Sequence, residues 1–417
     1  MIRKNYFFDL IKLFIVFNIS YFFFISPDFS YIGLTSNFQL SHFFISIFLI
    51  FLYSFFLKIT DYFLSDLFKS FFTVVSFLPS LTLFTFNAID RWFIINWMVI
   101  FFFFLIIFNS RIYFKSINKL SFRLNSTAVY ILLSITALIY IVVFGLSLNF
   151  QYFDLLSSSL YQGREELTQK MSSLGILRYF FANFQNVILP LFLAYGLIRK
   201  NLFISILSIL FFIYVFLVTT FKSILLAPIL IIGIFLFNNK YPLYLPNFIL
   251  RQSYKPIVAA CFIDYFLLFP LFNTLIIRRI FFLPVLISDK YFEYFDENGY
   301  TYFSDLPFFE FFSIHPFSYS IPQIIGSYFI YNEGYMNAGF LADAFTKAGI
   351  VSVFLYIIVL KILISIAESN TKFENHFIIF AIIIIPLIAL SNSSLTTTLF
   401  SHGLLLSLFV SSQIIKL

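Results

Sequence analysis

Long runs of apolar residues recur along the whole chain, and most are about as long as a helix that crosses a bilayer. A hydrocarbon core of roughly 30 Å takes about 20 residues of α-helix. Such runs predict twelve spans, at residues 11–26, 40–57, 71–88, 92–108, 127–148, 174–197, 202–219, 222–238, 256–276, 344–366, 377–392 and 398–415. The sequence therefore predicts an all-α, polytopic transmembrane bundle that forms one integral membrane domain over residues 1–417.

The composition excludes an ordinary soluble enzyme. Hydrophobic residues make up 61% of the chain, charged residues 11%, and the mean hydropathy is +0.97, whereas soluble domains are about 45–50% apolar and about 25% charged. Cys261 is the single cysteine, which excludes an intramolecular disulfide. No CxxC or HExxH spacing occurs, so we expect neither a metal nor a cofactor, and nucleic acid is not an expected partner.

Lysine and arginine predict the orientation, because cytoplasmic loops are enriched in them. With the N-terminus inside, 17 of the 26 basic residues fall on the cytoplasmic side and nine on the outer side. Both termini are then cytoplasmic. The N-terminal apolar run lacks a small-x-small cleavage site before Pro27, so we expect it to be a retained first span rather than a signal peptide.

Two segments predicted on the outer side are longer than the other connections. The first covers residues 149–173, and the second covers residues 277–337 before the last three spans. The second is rich in aromatic residues, which argues against disorder, and we expect it to form short interfacial helices over the outer face. Its ionisable acids and its histidine are Asp289, Glu293, Asp296, Glu297, Asp305, Glu310, His315 and Glu333.

Five outer cations are candidates for a phosphate-binding site: Arg164, Arg178, Lys222, Arg278 and Arg279. A guanidinium group offers a planar fork of donors that fits phosphate oxygens two at a time. The alternative is that these side chains reach ordinary lipid head groups. Lys222 lies in a one- or two-residue turn between two spans, where it could also be a simple hairpin marker.

A reaction that transfers a proton would require a carboxylate or an imidazole near the reacting group. In the long outer segment the candidates are Glu310, Asp305 and His315, with Glu333 as a further acid. The alternative is that these groups are solvated or structural. The span at 174–197 also carries polar residues, which would face the bundle interior or hydrogen-bond to a neighbouring helix.

Three features together resemble the Wzy-type O-antigen, or oligosaccharide repeat-unit, polymerases of bacterial envelopes. They are the dozen spans with a long outer loop before the last three, the hairpin at Lys222, and the loop exit from Asn337 through Asp343 to Gly349. Arg164 and Gly175 also match an arginine–ten residues–glycine pattern of some members. The long loop departs from that pattern, because Arg278 and Arg279 meet Asp289 and Lys290 instead.

The resemblance implies a GT-C-like membrane glycosyltransferase that uses neither a nucleotide sugar nor a metal. Such an enzyme transfers the growing glycan from undecaprenyl pyrophosphate to the next lipid-linked repeat unit, at the outer face of the bacterial plasma membrane. The outer cations would bind the pyrophosphate, and Glu310 would accept the proton of the acceptor hydroxyl. Membrane lipids and a separate chain-length regulator protein are the further partners that fit this resemblance.

Three other functions remain open. A lipid-linked oligosaccharide flippase also has about twelve spans, but it would keep all its loops short. An O-antigen ligase, which attaches finished glycan to the lipid A core, would tolerate the long outer loop. A non-enzymatic envelope scaffold is the remaining alternative.

Overall fold

The computed structural model describes residues 6–60, 62–112, 122–123, 125–145, 173–240, 244–306, 316–330, 334–369 and 376–416. The chain divides into two compact units. Unit 1 comprises Met1–Tyr113, Tyr244–Ser365 and Ile388–Leu395, and unit 2 comprises Phe114–Leu243, Ile366–Leu387 and Thr396–Leu417. The single membrane domain over residues 1–417 stays a prediction.

Helices make up almost all of the described structure. Those before residue 241 are α1 (Phe7–Ser20), α2 (Ser26–Phe29), α3 (Leu40–Phe56), α4 (Phe63–Phe72), α5 (Leu78–Thr85), α6 (Arg91–Asn109), α7 (Ser126–Phe144), α8 (Leu177–Asn183), α9 (Leu189–Ile198), α10 (Leu202–Thr219) and α11 (Lys222–Lys240). Those that follow are α12 (Leu245–Gln252), α13 (Tyr254–Leu267), α14 (Leu283–Asn298), α15 (Ile321–Ile330), α16 (Phe340–Glu368), α17 (His376–Leu390), α18 (Leu395–Phe400) and α19 (Leu404–Gln413).

Shorter elements join or extend these helices. Four π-helical segments cover Tyr21–Ile25, Thr73–Phe77, Phe184–Ile188 and Asn273–Phe282, and a 3₁₀ turn covers Ser30–Ile32. In unit 2, β1 (Phe122–Arg123) pairs in parallel with β2 (Ile414–Lys416).

Seven helices in the described ranges are long and apolar enough to cross a membrane: Phe7–Ile32, Phe63–Thr85, Arg91–Asn109, Ser126–Phe144, Leu177–Ile198, Leu202–Thr219 and Phe340–Glu368. Four shorter apolar helices accompany them, at Leu40–Phe56, Ile224–Phe237, His376–Leu390 and Leu404–Gln413. The chain is thus an all-helical, multi-pass membrane protein. The count of twelve spans, the GT-C-like arrangement and the sidedness stay predictions.

The predicted span at residues 256–276 is wrong as a single helix. Helix α13 ends at Leu267, and Leu268 adopts a left-handed conformation (φ 54°). Pro270 follows, which has no N–H to continue the helical hydrogen bonds. A new helix then begins at Asn273 and runs without interruption to Asn298. The short interfacial helices expected over residues 277–337 stay a prediction.

The predicted span at residues 398–415 is also divided. Helix α18 ends at Phe400 and α19 begins at Leu404. Between them, Gly403 has φ +84°, and a Cβ atom there would lie 2.5 Å from Cγ2 of Val187. Only glycine fits both the conformation and the close approach, so the chain breaks the helix at this point.

A buried ion pair explains why the third span begins eight residues before its predicted start at residue 71. Lys69 Nζ lies 2.8 Å from Asp66 Oδ1, and both side chains are fully buried. Lys69 also donates to the carbonyl of Lys58 and, over 3.0 Å, to Asn109 Oδ1. Asp66 accepts from the Thr60 N–H over 2.7 Å. Because the two charges neutralise each other inside unit 1, the helix tolerates both.

Replacing Lys69 alone by Met is expected to lower the free energy of unfolding by about 3 kcal/mol, because Asp66 would remain buried without its cation. The double variant Asp66→Asn/Lys69→Met should lose less. Reversible unfolding in mixed detergent micelles measures both, with Lys58→Met, whose side chain is exposed, as the control. Equal losses in the single and double variants would contradict this assignment.

Candidate functional site

One continuous helix of unit 1 carries both the arginine pair and most of the acids of the long predicted outer segment. It consists of the π-helical segment Asn273–Phe282 followed by α14, and we call it the charged helix. Arg278 and Arg279 lie in its first part, whereas Asp289, Glu293, Asp296 and Glu297 lie in its second part. At 1.5 Å per residue, about 15 Å of helix separates Arg279 from Asp289.

A buried carboxylate sets where the charged helix begins. Asp264 accepts hydrogen bonds from the backbone N–H groups of Phe272 (2.9 Å) and Asn273 (2.7 Å), and from Nδ2 of Asn273 (2.8 Å). Ser20 donates to Oδ1 of Asn273 over 2.6 Å. Backbone N–H groups at a helix start have no partner inside the helix, so Asp264 satisfies two of them and fixes the start of the charged helix.

The two arginines lie in the π-helical part, a geometry that is rare and often marks functional sites. The guanidinium carbon of Arg278 lies 3.9 Å from the centroid of the Phe29 ring. The Nε atoms of Arg278 and Arg279 are both buried. Phe281 and Phe282 pack against the ring of Phe17, at centroid distances of 5.0 and 5.7 Å. The arginines are therefore anchored beside helix α1 and its extension.

The second part of the charged helix forms one wall of a cleft of about 590 Å³, which we call the acidic cleft. The other wall is the turn before α6 and the start of that helix. The lining residues are Asn87, Ala88, Ile89, Asp90, Trp92, Phe93, Asp289, Lys290, Phe292, Glu293, Asp296 and Glu297. Five carboxylates and one ammonium group thus face a cavity within the usual range for small-molecule sites.

Hydrogen bonds hold the acids on one side of the cleft in fixed positions. Asp289 Oδ1 accepts from the backbone N–H of Asp90 over 3.2 Å, and its Oδ2 lies 3.3 Å from Lys290 Nζ. Lys290 also donates to Glu293 over 2.6 Å. The hydroxyl of Tyr328 donates to the second oxygen of Glu293 over 2.9 Å.

Aromatic donors hold the opposite end of the cleft. The indole N–H of Trp92 donates to Oδ2 of Asp296 over 3.2 Å, and the hydroxyl of Tyr300 donates to its Oδ1 over 2.8 Å. Trp92 is nevertheless 59% exposed, so its ring remains available to a ligand. Carboxylates beside an exposed indole ring present acceptors for hydroxyl groups together with an apolar face.

Burial and neighbouring charges shift the proton affinities in the cleft. Burial raises the pKa of Asp289 to about 6, against the opposing effects of Lys290 and the Asp90 N–H. Burial lowers the pKa of Lys290, but the attraction of Asp289 and Glu293 outweighs this and leaves it raised. Burial, followed by the hydrogen bond to Asp296, raises the pKa of Tyr300 to about 12. Asp289 is therefore able to exchange a proton near pH 6.

A second charge cluster holds the chain that leaves the charged helix. The backbone N–H groups of Thr301 and Tyr302 donate to the carbonyls of Thr346 (2.8 Å) and Lys347 (2.9 Å). The ammonium of Lys347, which is fully buried, pairs with Asp305 and lies 3.3 Å from Asp343 Oδ1. We call residues 300–306 the latch segment.

The latch segment is held at a break inside α16. Ala348 and Gly349 have non-helical backbone conformations, and Gly349 has φ +64°. A Cβ atom on Gly349 would lie 3.0 Å from the hydroxyl oxygen of Tyr300. Ser352 Oγ bridges the break, since it donates to the carbonyls of Ala344 and Gly349 over 2.6 and 2.8 Å. The break therefore provides the space for the ring of Tyr300, whose hydroxyl donates a hydrogen bond to Asp296.

The other residues predicted from the sequence lie in several places. Asp305 is committed to Lys347 and to Thr301 Oγ1, which donates to it over 3.1 Å. Arg178 belongs to unit 2, where it is exposed, lies 4.8 Å from the Tyr179 ring centroid and donates to its hydroxyl over 2.9 Å. Lys222 is the first residue of α11, but its side chain lies outside the described set. Arg164, Glu310 and His315 lie outside the described residues.

The acidic cleft was not singled out from the sequence, although a signal was present. Asp289, Glu293, Asp296 and Glu297 have the spacing that places side chains on neighbouring turns of one helix face. No sequence pattern indicated the pairing of that face with Asp90 and Trp92, about 200 residues earlier in the chain. Within the described residues, no group of three or more His, Cys, Asp or Glu side chains is arranged to hold a metal ion.

The sequence matches no protein-family model, no curated protein and no solved structure. The likeness to Wzy-type polymerases thus depends on the sequence features described above.

Asp289→Asn should change how the stability of the protein depends on pH. The folded-state pKa of about 6 lies above the ordinary value of 3.8, so the folded state binds an extra proton between these values. Relative to Asp289→Asn, the wild type should gain about 1 kcal/mol when the pH falls from 7.5 to 5. Unfolding in mixed micelles tests this, with exposed Asp28→Asn as the control. Parallel curves for wild type and Asp289→Asn would contradict it.

Lys347→Met should release the latch segment. Without the ammonium group, Asp305 loses its buried partner and the backbone hydrogen bonds of Thr301 and Tyr302 should open more often. Hydrogen–deuterium exchange of the peptide covering residues 299–306 should then rise at least tenfold. Lys361→Met, in the same helix but paired with Ser65 Oγ (2.8 Å), is the matched control. Unchanged exchange in Lys347→Met would show that the ion pair does not hold the segment.

Proposed function

We propose that this protein polymerises lipid-linked oligosaccharide repeat units, as an O-antigen or capsule polymerase, at the outer face of the bacterial plasma membrane. The observation that supports it best is the division of charge along the charged helix, with a cationic first part and an acidic second part. A polyprenyl pyrophosphate-linked glycan is divided in the same way, into an anionic phosphate end and a hydroxyl-rich sugar end.

Helix stability does not explain this arrangement of charge. A helix favours acids near its N-terminus and cations near its C-terminus because of its dipole, whereas Asp296 and Glu297 occupy the last turn of α14. Acids four residues apart, such as Glu293 and Glu297, also repel each other. Since acids at these positions of α14 lower the stability of the helix, we attribute their presence to ligand binding.

In the proposed reaction, the bond between the anomeric carbon of the donor glycan and its pyrophosphate oxygen breaks. The oxygen of an acceptor hydroxyl forms the new glycosidic bond, and undecaprenyl pyrophosphate leaves with the bonding electron pair. Arg278 and Arg279 would neutralise the negative charge that develops on the leaving group. The acceptor hydroxyl would give its proton to Glu310, the base expected from the sequence. The acids of the cleft begin about 15 Å from Arg279 along the charged helix and would bind hydroxyl groups of the glycan.

A deletion strain tests the proposal directly. Its surface glycan should stop at a single repeat unit on a gel, and the wild-type gene should restore the ladder of longer chains. Complete loss of surface glycan would instead indicate a flippase. Long chains that fail to reach the lipid A core would indicate a ligase, and an unchanged ladder would contradict all three functions.

Complementation with variants tests the assigned residues. Arg278→Ala/Arg279→Ala and Asp289→Asn should each reduce chains beyond the first repeat by at least tenfold at normal protein level. The first variant would lose the cations that stabilise the leaving group, and the second would lose a carboxylate of the glycan-binding cleft. Arg199→Ala, in unit 2 and predicted on the cytoplasmic side, should retain the full ladder. Normal chain lengths in both site variants would remove the site assignment while leaving the deletion result intact.

A further inference from the structure

The acidic cleft has a charge that restricts which sugars can enter it. Five carboxylates face the cavity against one ammonium group, Lys290, which leaves a formal charge of −4. Protonation of Asp289, whose pKa is about 6, still leaves three net negative charges. An anionic ligand in this cavity would be repelled by the like charges of its lining, whereas a neutral or cationic ligand would not be repelled.

The cleft also has the volume of a small-molecule site and an exposed aromatic ring at its edge. Its volume of about 590 Å³ is within the range of small-molecule sites. Trp92 is 59% exposed at its edge, although its indole N–H is fixed on Asp296. Tyr300 and Tyr328 donate to Asp296 and Glu293 and hold their carboxylates in place. Fixed acceptors and an exposed aromatic face suit a sugar ring, which carries hydroxyl donors at its edge and C–H groups on its faces.

We propose that the acidic cleft binds the sugars of the repeat unit and selects neutral or amino sugars against sugars that carry carboxylate or phosphate groups. This inference rests on the proposed function for the identity of the glycan. The selection arises from repulsion, since an acidic sugar would meet Glu293, Asp296 and Glu297 within one cavity. The same repulsion keeps the pyrophosphate of the donor at the arginine end of the charged helix.

Glu297 is the residue best suited to test the selection. It is exposed in the last turn of α14, and a lysine there would have the charge that the helix dipole favours. Glu297→Lys should therefore fold at least as well as the wild type while it lowers the negative charge of the cleft by two. Glu297→Gln lowers it by one and keeps the side-chain length.

Binding can be measured on the full chain in lipid nanodiscs through tryptophan fluorescence. The protein has two tryptophans; Trp92 lines the cleft and Trp97, which is buried, packs on Phe93 at 4.9 Å. The probes are oligomers of equal length of glucosamine, N-acetylglucosamine and galacturonate. Wild-type protein should bind the first two at least tenfold more tightly than galacturonate, and the difference should shrink at high salt because salt screens exposed charges. Glu297→Lys should reduce the selectivity against galacturonate at least fivefold, and Glu297→Gln should reduce it by a smaller factor.

Equal or tighter binding of galacturonate by the wild type, or no binding of any probe, would overturn the inference. So would unchanged selectivity in Glu297→Lys. These results can be separated from the deletion phenotype. If the deletion strain loses the glycan ladder but the protein shows no sugar selectivity, the polymerase function stands and this inference fails. If the protein selects sugars but the deletion strain keeps its ladder, the cleft binds sugars in a protein of another function.

Discussion

The hydrogen bonds that Asp264 accepts from the start of the charged helix are the contacts on which the site depends. A buried N–H group without a partner costs free energy, so a new helix that follows α13 is favoured to begin where a side chain satisfies its first N–H groups. Asp264 does this for Phe272 and Asn273. Its position therefore determines where Arg278 and Arg279 lie and, further along the same helix, which acids meet Asp90 and Trp92.

Two groups of buried, oppositely charged side chains in the described part of unit 1 lie where a helix departs from a simple apolar span. Lys69 and Asp66 allow a helix to extend over residues that look too polar for a membrane. Lys347, between Asp305 and Asp343, holds the latch segment against the break in α16. Such pairs contribute little net stability. The Lys347 group fixes the chain that leaves the charged helix, whereas the Lys69 pair lies beside Asn109, at the end of α6 opposite the acidic cleft.

Sequence patterns predicted the positions of the uninterrupted apolar helices well. The hairpin expected at residues 202–219 and 222–238 matches α10 and α11, because apolar length alone determines such helices. The patterns failed where the structure depends on contacts distant in the chain. Asp264 restarts a helix, Gly403 fits against Val187, and Asp66 is paired with Lys69. The arginine pair was singled out from the sequence as a candidate site. The acidic cleft was not, because it forms only where the acids of α14 meet Asp90 and Trp92, which are distant in the chain.

The central claim is that the acidic end of the charged helix faces the outside of the cell. Labelling an introduced cysteine with a membrane-impermeant maleimide tests it most directly: Asn298→Cys, at the exposed end of α14, in a chain whose Cys261 is replaced by serine. In intact cells, or in spheroplasts where an outer membrane blocks the reagent, position 298 should react fully before the plasma membrane is permeabilised. Reaction only after permeabilisation would place the arginines and the cleft in the cytosol and contradict the account.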